Sequence, residues 1–224
     1  MRKYILITLL RLDNFLRRWI TYFSLEQGVH PKHRLTQYHQ FFLDNIFPTD
    51  SVLDVGCGLG LLACDIAAKA KHVTGIDLNK DYLSQAHRLQ NIDFIHGDAT
   101  TFDFKKNFDV LILSNTLEHI KNRVDFLKKL TPHAKKFLVR VPMINRDWLV
   151  LLKKELGVEY RLDPTHYIEY TEEIFRRELA AAGLEITKLS VRFGEIYCCA
   201  QPNTVFHSTS HPLALPHYPT KSNN

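Results

Sequence analysis

Val52-Leu-Asp54-Val-Gly56-Cys57-Gly58-Leu-Gly60 is the stretch on which the fold turns. An apolar run carrying Asp54 passes straight into three glycines at alternate positions, and a helix-like run, residues 61–69, follows at once. Glycine has no Cβ, so such a turn takes left-handed backbone angles and lets a ligand lie directly against the main chain. A strand, a tight glycine turn and a helix N-terminus in that order make a nucleotide-type binding corner.

Outward from this corner the chain alternates. Strand-like runs fall at residues 51–55, 72–77, 92–96, 108–114 and 136–141, with helix-like runs at 61–69, 80–89 and 120–130 between most of them. The connection between the third and fourth strands is short and has room for little helix. Alternation of this kind implies a parallel sheet covered on both faces. A helix over 172–182 has Thr171 as N-cap, two acids in its first turn and Gly183 at its stop. Two further strands, 184–191 and 195–200, are separated by only Arg192-Phe193-Gly194, and a link that short joins antiparallel neighbours. The expected class is therefore α/β: a doubly wound, mostly parallel, seven-stranded sheet with one antiparallel terminal strand. An N-terminal helical cap, residues 1–47, precedes the domain at 48–201, and a polar stretch at 202–224 reads as a disordered tail.

Bulk properties narrow the functional classes. A formal charge of +5 without any dense Lys/Arg block gives no expectation of nucleic-acid binding. The four cysteines form no CxxC pair and no zinc spacing, which suits reduced thiols. The apolar run Tyr4 to Leu10 ends at Arg11, well short of the ~20 residues that span a bilayer. It lacks a small-residue cleavage site, so the expected location is cytoplasmic.

The following strand ends carry acids. Asp77 lies 17 residues past Gly60, where a carboxylate accepts ribose hydroxyls. Asp98 follows Gly97 on the same rim, and the fourth strand ends Ser114-Asn-Thr-Leu-Glu-His119. No Gly-Lys-Ser/Thr loop is present, and the glycines run G-x-G-x-G rather than the G-x-G-x-x-G of an NAD(P)-dependent oxidoreductase, the nearest enzymatic alternative. A rim with Asp54, Asp77 and Asp98 suits a cationic nucleoside better than a phosphate.

On these residues the chain resembles the class I S-adenosylmethionine-dependent methyltransferases over about residues 50–200. The resemblance implies that Asp54, Gly56, Cys57, Gly58 and Gly60 cradle the methionine part of S-adenosyl-L-methionine. It implies that Asp77 with Leu78 meets the ribose, Asp98 and Ala99 the adenine, and that Ser114 and Asn115 flank the methyl donor.

Methyl transfer to a hydroxyl needs alignment, exclusion of water and a proton acceptor. Glu118, His119 and His166 are the catalytic candidates. The Leu117-Glu-His119 segment is similar to one in ubiquinone-pathway O-methyltransferases and terminal-RNA 2′-O-methyltransferases, whose Glu-x-x-Glu-His contributes to a divalent-metal site. Asn115 stands where their first glutamate is, so no metal site is predicted, although Glu118, His119 and His166 supply three ligand-type groups. His33, Arg34, Tyr38, His39 and residues 146–161 are expected to roof the acceptor pocket, or to be ordinary surface. The acceptor is expected to be a small molecule or a glycan- or lipid-linked precursor, methylated at oxygen; a non-catalytic adenosyl-ligand scaffold is the alternative from another class.

Residues 3–23 read as an amphipathic helix with Ile5, Leu9, Leu12, Leu16, Trp19, Ile20 and Phe23 on one face. Residues 2–23 carry five basic side chains against Asp13. Peripheral contact with an anionic membrane and packing of the stripe on the domain or a dimer partner are both open at this point.

Overall fold

The computed structural model describes residues 1–25 and 30–203. Seven strands form one sheet: β1 (Ser51–Val55), β2 (His72–Asp77), β3 (Ile92–His96), β4 (Phe108–Ser114), β5 (Ala134–Pro142), β6 (Leu184–Arg192) and β7 (Glu195–Pro202). Their order is β3-β2-β1-β4-β5-β7-β6. Neighbours from β3 to β5 are parallel, whereas β7 is antiparallel to both β5 and β6. The reversed strand is thus last in sequence but sits inside the sheet, with β6 at the edge.

The apolar content of β1, β4 and β5 explains why they are central. Leu53, Val55, Leu111, Leu113, Phe137 and Val139 point to one face, where α6 (Arg123–Leu130) and α8 (Glu172–Ala181) cover them with Phe126, Leu127, Phe175 and Leu179. Val52, Val110, Ile112 and Leu138 alternate to the other face, under α3 (Tyr38–Asp44) and α4 (Leu61–Ala67). A strand buried on both faces reads as a near-continuous apolar run, as β4 does from Val110 to Leu113; Asp54 breaks the run in β1 and Arg140 in β5, both buried. The chain leaves β1 toward β2 and β3, then returns to β4 on its other side. Such a reversal opens a crevice at the carboxyl ends of β1 and β4.

Helix ends follow their caps. Thr171 Oγ1 accepts the Ile174 N–H (3.2 Å) at the start of α8, and Gly183 takes φ 77° at its stop. Asn79 caps α5 (Lys80–Gln85) through the N–H groups of Asp81 and Tyr82. That helix ends four residues before the expected 89, because Ala86 turns extended. The expected helix at 120–130 begins only at Arg123, after a short 3₁₀ turn at Leu117–His119.

Three features of the helices go beyond the sequence reading. Within the helical cap expected over 1–47, residues 32–44 form two helices, α2 (Lys32–Thr36) and α3, because Gln37 between them adopts a left-handed conformation (φ 47°). The break turns Leu35 out to 65% exposure, and Phe41 joins Phe42 in the core. A helix that periodicity did not reveal, α7 (Trp148–Glu155), follows β5 and starts on Asp147, whose carboxylate accepts the Leu149 N–H. Finally, α1 (Arg2–Ser24) does not lay its apolar stripe on the domain: Ile5, Leu9, Leu12, Leu16, Trp19, Ile20 and Phe23 are all exposed, and only Leu10 is buried. The tail expected from 202 lies, from residue 204, outside the described residues.

One polar cluster ties α6 to α8. Arg123 donates to both Glu178 carboxylate oxygens (2.7 and 2.9 Å), and the buried Tyr170 hydroxyl donates to Glu178 Oε2 (2.9 Å). Removing the guanidinium leaves a largely buried carboxylate without its counter-charge. Arg123→Ala is expected to lower unfolding free energy by about 3 kcal/mol in urea titration; a change within about 0.5 kcal/mol, the size of a surface substitution, would show the pair to be dispensable.

Candidate active site

The glycine turn is held from three sides. The N–H groups of Gly56 and Cys57 both donate to the Ile76 carbonyl (2.8 and 3.2 Å), pulling the turn onto the end of β2. Gly56, Gly58 and Gly60 have φ of 74°, 56° and 74°. A Cβ on Gly56 would stand 2.7 Å from Thr116 Oγ1, and that hydroxyl donates to the Val55 carbonyl (2.8 Å), so β4's loop locks directly against the turn. The Gly58 N–H donates to Asp77 Oδ2 (2.7 Å), while Asp77 Oδ1 accepts from the Asn79 N–H (2.8 Å).

Asp54 lies at the floor of this corner. It is 2% exposed, and its Oδ2 has no hydrogen-bond partner among the described residues. Burial, with a smaller contribution from the Asp77 charge, pushes its carboxyl up to about 7. A buried, unsatisfied carboxylate oxygen is costly and asks for a cationic or N–H donor. Nothing lies within 4 Å of a Cβ position on Gly58, so the turn is open on that side. Both features suit a ligand carrying positive charge and no phosphate, the chemistry of S-adenosylmethionine. Cys57 is buried and its thiol is pushed well above the ordinary range, which makes it packing rather than a nucleophile.

The remaining rim residues are placed unequally. Ser114 ends β4 beside β1, and Asn115 follows with φ 54° and a buried Oδ1 that has no partner among the described residues. Asp98 lies one strand farther out and spends Oδ1 on the Thr100 N–H and hydroxyl (2.8 and 2.7 Å), tying its own turn. Ala99 is half-buried, while Leu78 is exposed.

The three catalytic candidates come together. The Tyr167 N–H donates to the Glu118 carbonyl (2.8 Å), bringing the 163–170 segment against the loop after β4. The His119 and His166 rings meet edge to face, centroids 4.5 Å apart, and one ligand-type atom from each of Glu118, His119 and His166 lies within 4.8 Å of the others. Counting protons fixes the His119 tautomer. Thr165 Oγ1 has a single proton and lies 2.7 Å from Asp163 Oδ1, which only accepts; His119 Nδ1, 2.8 Å from the same hydroxyl, must therefore donate. His166 likewise donates Nδ1–H to Glu169 Oε1 (3.0 Å), since that carboxylate also receives Arg146 and the Leu162 N–H. With Nδ1 committed in this way, the uncharged form of each imidazole presents its lone pair at Nε2. Burial, then the neighbouring His166, holds His119 below its ordinary value. Glu118 is fully buried with neither carboxylate oxygen hydrogen-bonded among the described residues, and burial pushes it up to about 8.

Glu169 and its partner Arg146 form the support that the sequence did not disclose; Arg161 adds a bond to the His166 carbonyl (3.0 Å). A charged residue three positions after a histidine is the only signal, and it is common in loops. The expected roof is partly built. Arg140 lies 3.6 Å over the Tyr38 ring and 3.2 Å from Glu195, and Tyr38 Oη lies 2.9 Å from His33 Nδ1. His39 instead pairs with Asp65 on α4, and Arg34 and Trp148 are exposed. A groove of about 1000 Å³ runs between α1, α7 and the 159–164 segment, with Arg146 and Arg161 on its wall.

The profile of a methyltransferase domain family matches residues 52–136. The ubiquinone biosynthesis O-methyltransferase of Paracidovorax citrulli is 30% identical over 187 residues, covering 78% of this chain and 77% of that protein. The (S)-tetrahydroprotoberberine N-methyltransferase of Eschscholzia californica is 44% identical over 89 residues, 36% of this chain, and the match spans only 25% of that longer protein. Among solved structures, magnesium protoporphyrin IX methyltransferase from Synechocystis with bound SAH superposes with TM-score 0.59 at 21% identity, covering 76% of this chain and 83% of that one; it bears on the fold.

Glu118 makes stability pH-dependent. From the ordinary 4.5 to about 8 the unfolded chain ionises this group while the fold keeps it protonated, so the native state binds more protons and stability falls as pH rises. Asp54 acts with the same sign up to about 7. The loss approaches about 1.4 kcal/mol per pH unit and per group at most. Glu118→Gln is expected to flatten the decline in urea midpoint between pH 5 and 8, and an unchanged slope would refute the assignment.

Proposed function

The chain belongs to the class I S-adenosylmethionine-dependent methyltransferase family, and on that premise we propose that it methylates an oxygen of a small-molecule or glycan- or lipid-linked acceptor. The observation behind the oxygen assignment is the pair of imidazoles with committed Nδ1–H groups and free Nε2 lone pairs beside the crevice. When bound, the family's cofactor supplies a methyl group already activated on a positively charged sulfonium.

The residues of this chain then have three tasks. Asp54 and the open backbone at Gly58 hold the cationic amino-acid portion, and Asp77, by bracing Gly58 with one oxygen, keeps the turn shaped for the nucleoside. Ser114 and Asn115 line the methyl-donor position between β1 and β4. His119, uncharged at neutral pH, accepts the acceptor's hydroxyl proton at Nε2 while Thr165 and Asp163 orient its ring. Burial of Glu118 and His166 keeps water from the reacting centre. Support for an oxygen acceptor also comes from the O-methyltransferase named above, and the family assignment removes the oxidoreductase alternative.

A second reading rests on the same cluster. Free Nε2 atoms oriented by carboxylate and hydroxyl partners, next to a carboxyl with no hydrogen bond, are what a divalent cation requires. Glu118, His119 and His166 would hold such an ion, which would lower the pKa of an acceptor hydroxyl.

Two measurements test these assignments. Cofactor affinity, by calorimetry, is expected to rise as pH increases through about 7, up to tenfold per unit below it, because a cationic ligand needs Asp54 ionised. Asp54→Asn should weaken binding and remove the pH dependence; unaltered affinity would discard the role. Mass spectrometry of an extract incubated with methyl-labelled cofactor identifies the acceptor. With that acceptor, His119→Ala should cut kcat about 10²-fold with little change in KM, and activity lost to a chelator and restored by magnesium would favour the metal over the simple base.

A further inference from the structure

The N-terminal helix is attached to the domain by the wrong side for an ordinary packed helix. Lys153 of α7 donates to Asp13 Oδ2 (2.6 Å) and Asn14 Oδ1 (2.7 Å), and Asn14 donates to the Glu159 carbonyl (2.7 Å). Leu10 is the one buried apolar side chain of α1. Trp19 lies nine residues beyond Leu10, two and a half turns at 3.6 residues per turn, and therefore on the opposite face. That outward face carries Ile5, Leu9, Leu12, Leu16, Trp19 and Phe23, with Ile5 54% and Phe23 75% exposed. Trp19 stacks on Phe23 (centroids 5.6 Å) and meets Tyr22 edge-on (6.0 Å), an aromatic cluster facing solvent. So large an apolar face on one helix marks an interaction surface.

We propose that α1 is a docking helix for an anionic lipid surface, lying flat on the bilayer with this face immersed. Charge selects that occupant. Arg2, Arg11 and Arg18 lie away from the Leu10 side with no acid beside them, whereas Lys3 and Arg17, each seven residues from Leu10, share its face, where Asp13 is neutralised by Arg17 and Lys153. Two copies pairing through this helix would bring Arg2, Arg11 and Arg18 toward the same three cations of the second copy in a chain of net charge +5, whereas anionic headgroups attract them. Tryptophan and tyrosine at the helix's end are suited to the headgroup level, where one part of the ring is dry and the other wet. No helix among the described residues is long and apolar enough to cross a membrane, so contact is in the plane of the surface. The helix also forms a wall of the groove whose other side carries Arg146 and Arg161, the residues that support His166. Docking therefore sets the mouth of that groove at the lipid surface.

Co-sedimentation of the full chain with vesicles tests this without reference to methyl transfer. Binding to vesicles one-third phosphatidylglycerol should exceed binding to pure phosphatidylcholine by about tenfold and fall in about 0.5 M salt. Leu12→Glu with Trp19→Glu, both solvent-facing, should abolish it while cofactor affinity and melting temperature are kept. Arg2→Glu with Arg11→Glu should remove the preference for the anionic vesicles. Absence of vesicle binding, equal binding to both compositions, or a concentration-dependent dimer that the Leu12/Trp19 pair disrupts would each overturn the proposal.

Discussion

Two backbone N–H groups, from Gly56 and Cys57, converge on the single carbonyl of Ile76, and the rest of the site is arranged around that convergence. It requires the chain leaving β1 to turn sharply over the end of β2. That turn exposes left-handed backbone at Gly56, Gly58 and Gly60, and it leaves no room for a side chain between Gly56 and Thr116. The constraint also runs backward into the sheet. Gly75, one residue before Ile76, must itself be bare, because a Cβ there would stand 2.8 Å from Cys57 Sγ. Turn, strand end and neighbouring loop thus specify one another, and the buried Asp54 carboxylate sits where the three meet.

Much of this was legible in the sequence, for a physical reason. β1, β2 and β4 fall on the expected residues because strands inside the sheet are largely apolar and end where polar turn residues begin, while the edge strand β3 was set by its short β-type run before Gly97-Asp98. Glycines at alternate positions, followed by an acid at the next strand end, have few uses apart from this corner. Helix lengths were less legible. Nothing in residues 80–89 says that the chain turns extended at Ala86, and nothing around Gln37 announces a left-handed residue; tertiary contacts decide both. Amphipathicity in α1 was evident, but a periodic stripe reports only that one face is apolar and never what covers it.

The chemistry beside the crevice shows a second limit. His119, Glu118 and His166 could be singled out by residue type and position, whereas their supports could not. Glu169, Arg146 and Arg161 are polar residues in a segment without periodicity, and their value lies in bonds between positions 23 apart (Arg146 to Glu169) or within a turn (Arg161 to His166). The tautomers that leave both Nε2 atoms free follow from these bonds. They are properties of the folded arrangement and have no counterpart in composition or spacing.

The position of β7 bears on how the protein is made. This strand is the last of the sheet to leave the ribosome, yet it fills an interior slot, and among the described residues β6 pairs with it alone. Until residue 202 is available, β5 presents an unpaired edge of buried-type apolar residues, the kind that recruits other chains. Closure then demands pairing between segments some 60 residues apart, a slow event relative to local helix formation. Nascent chains are accordingly most exposed to misassembly until β7 has emerged, at the end of the sheet remote from β2 and β3.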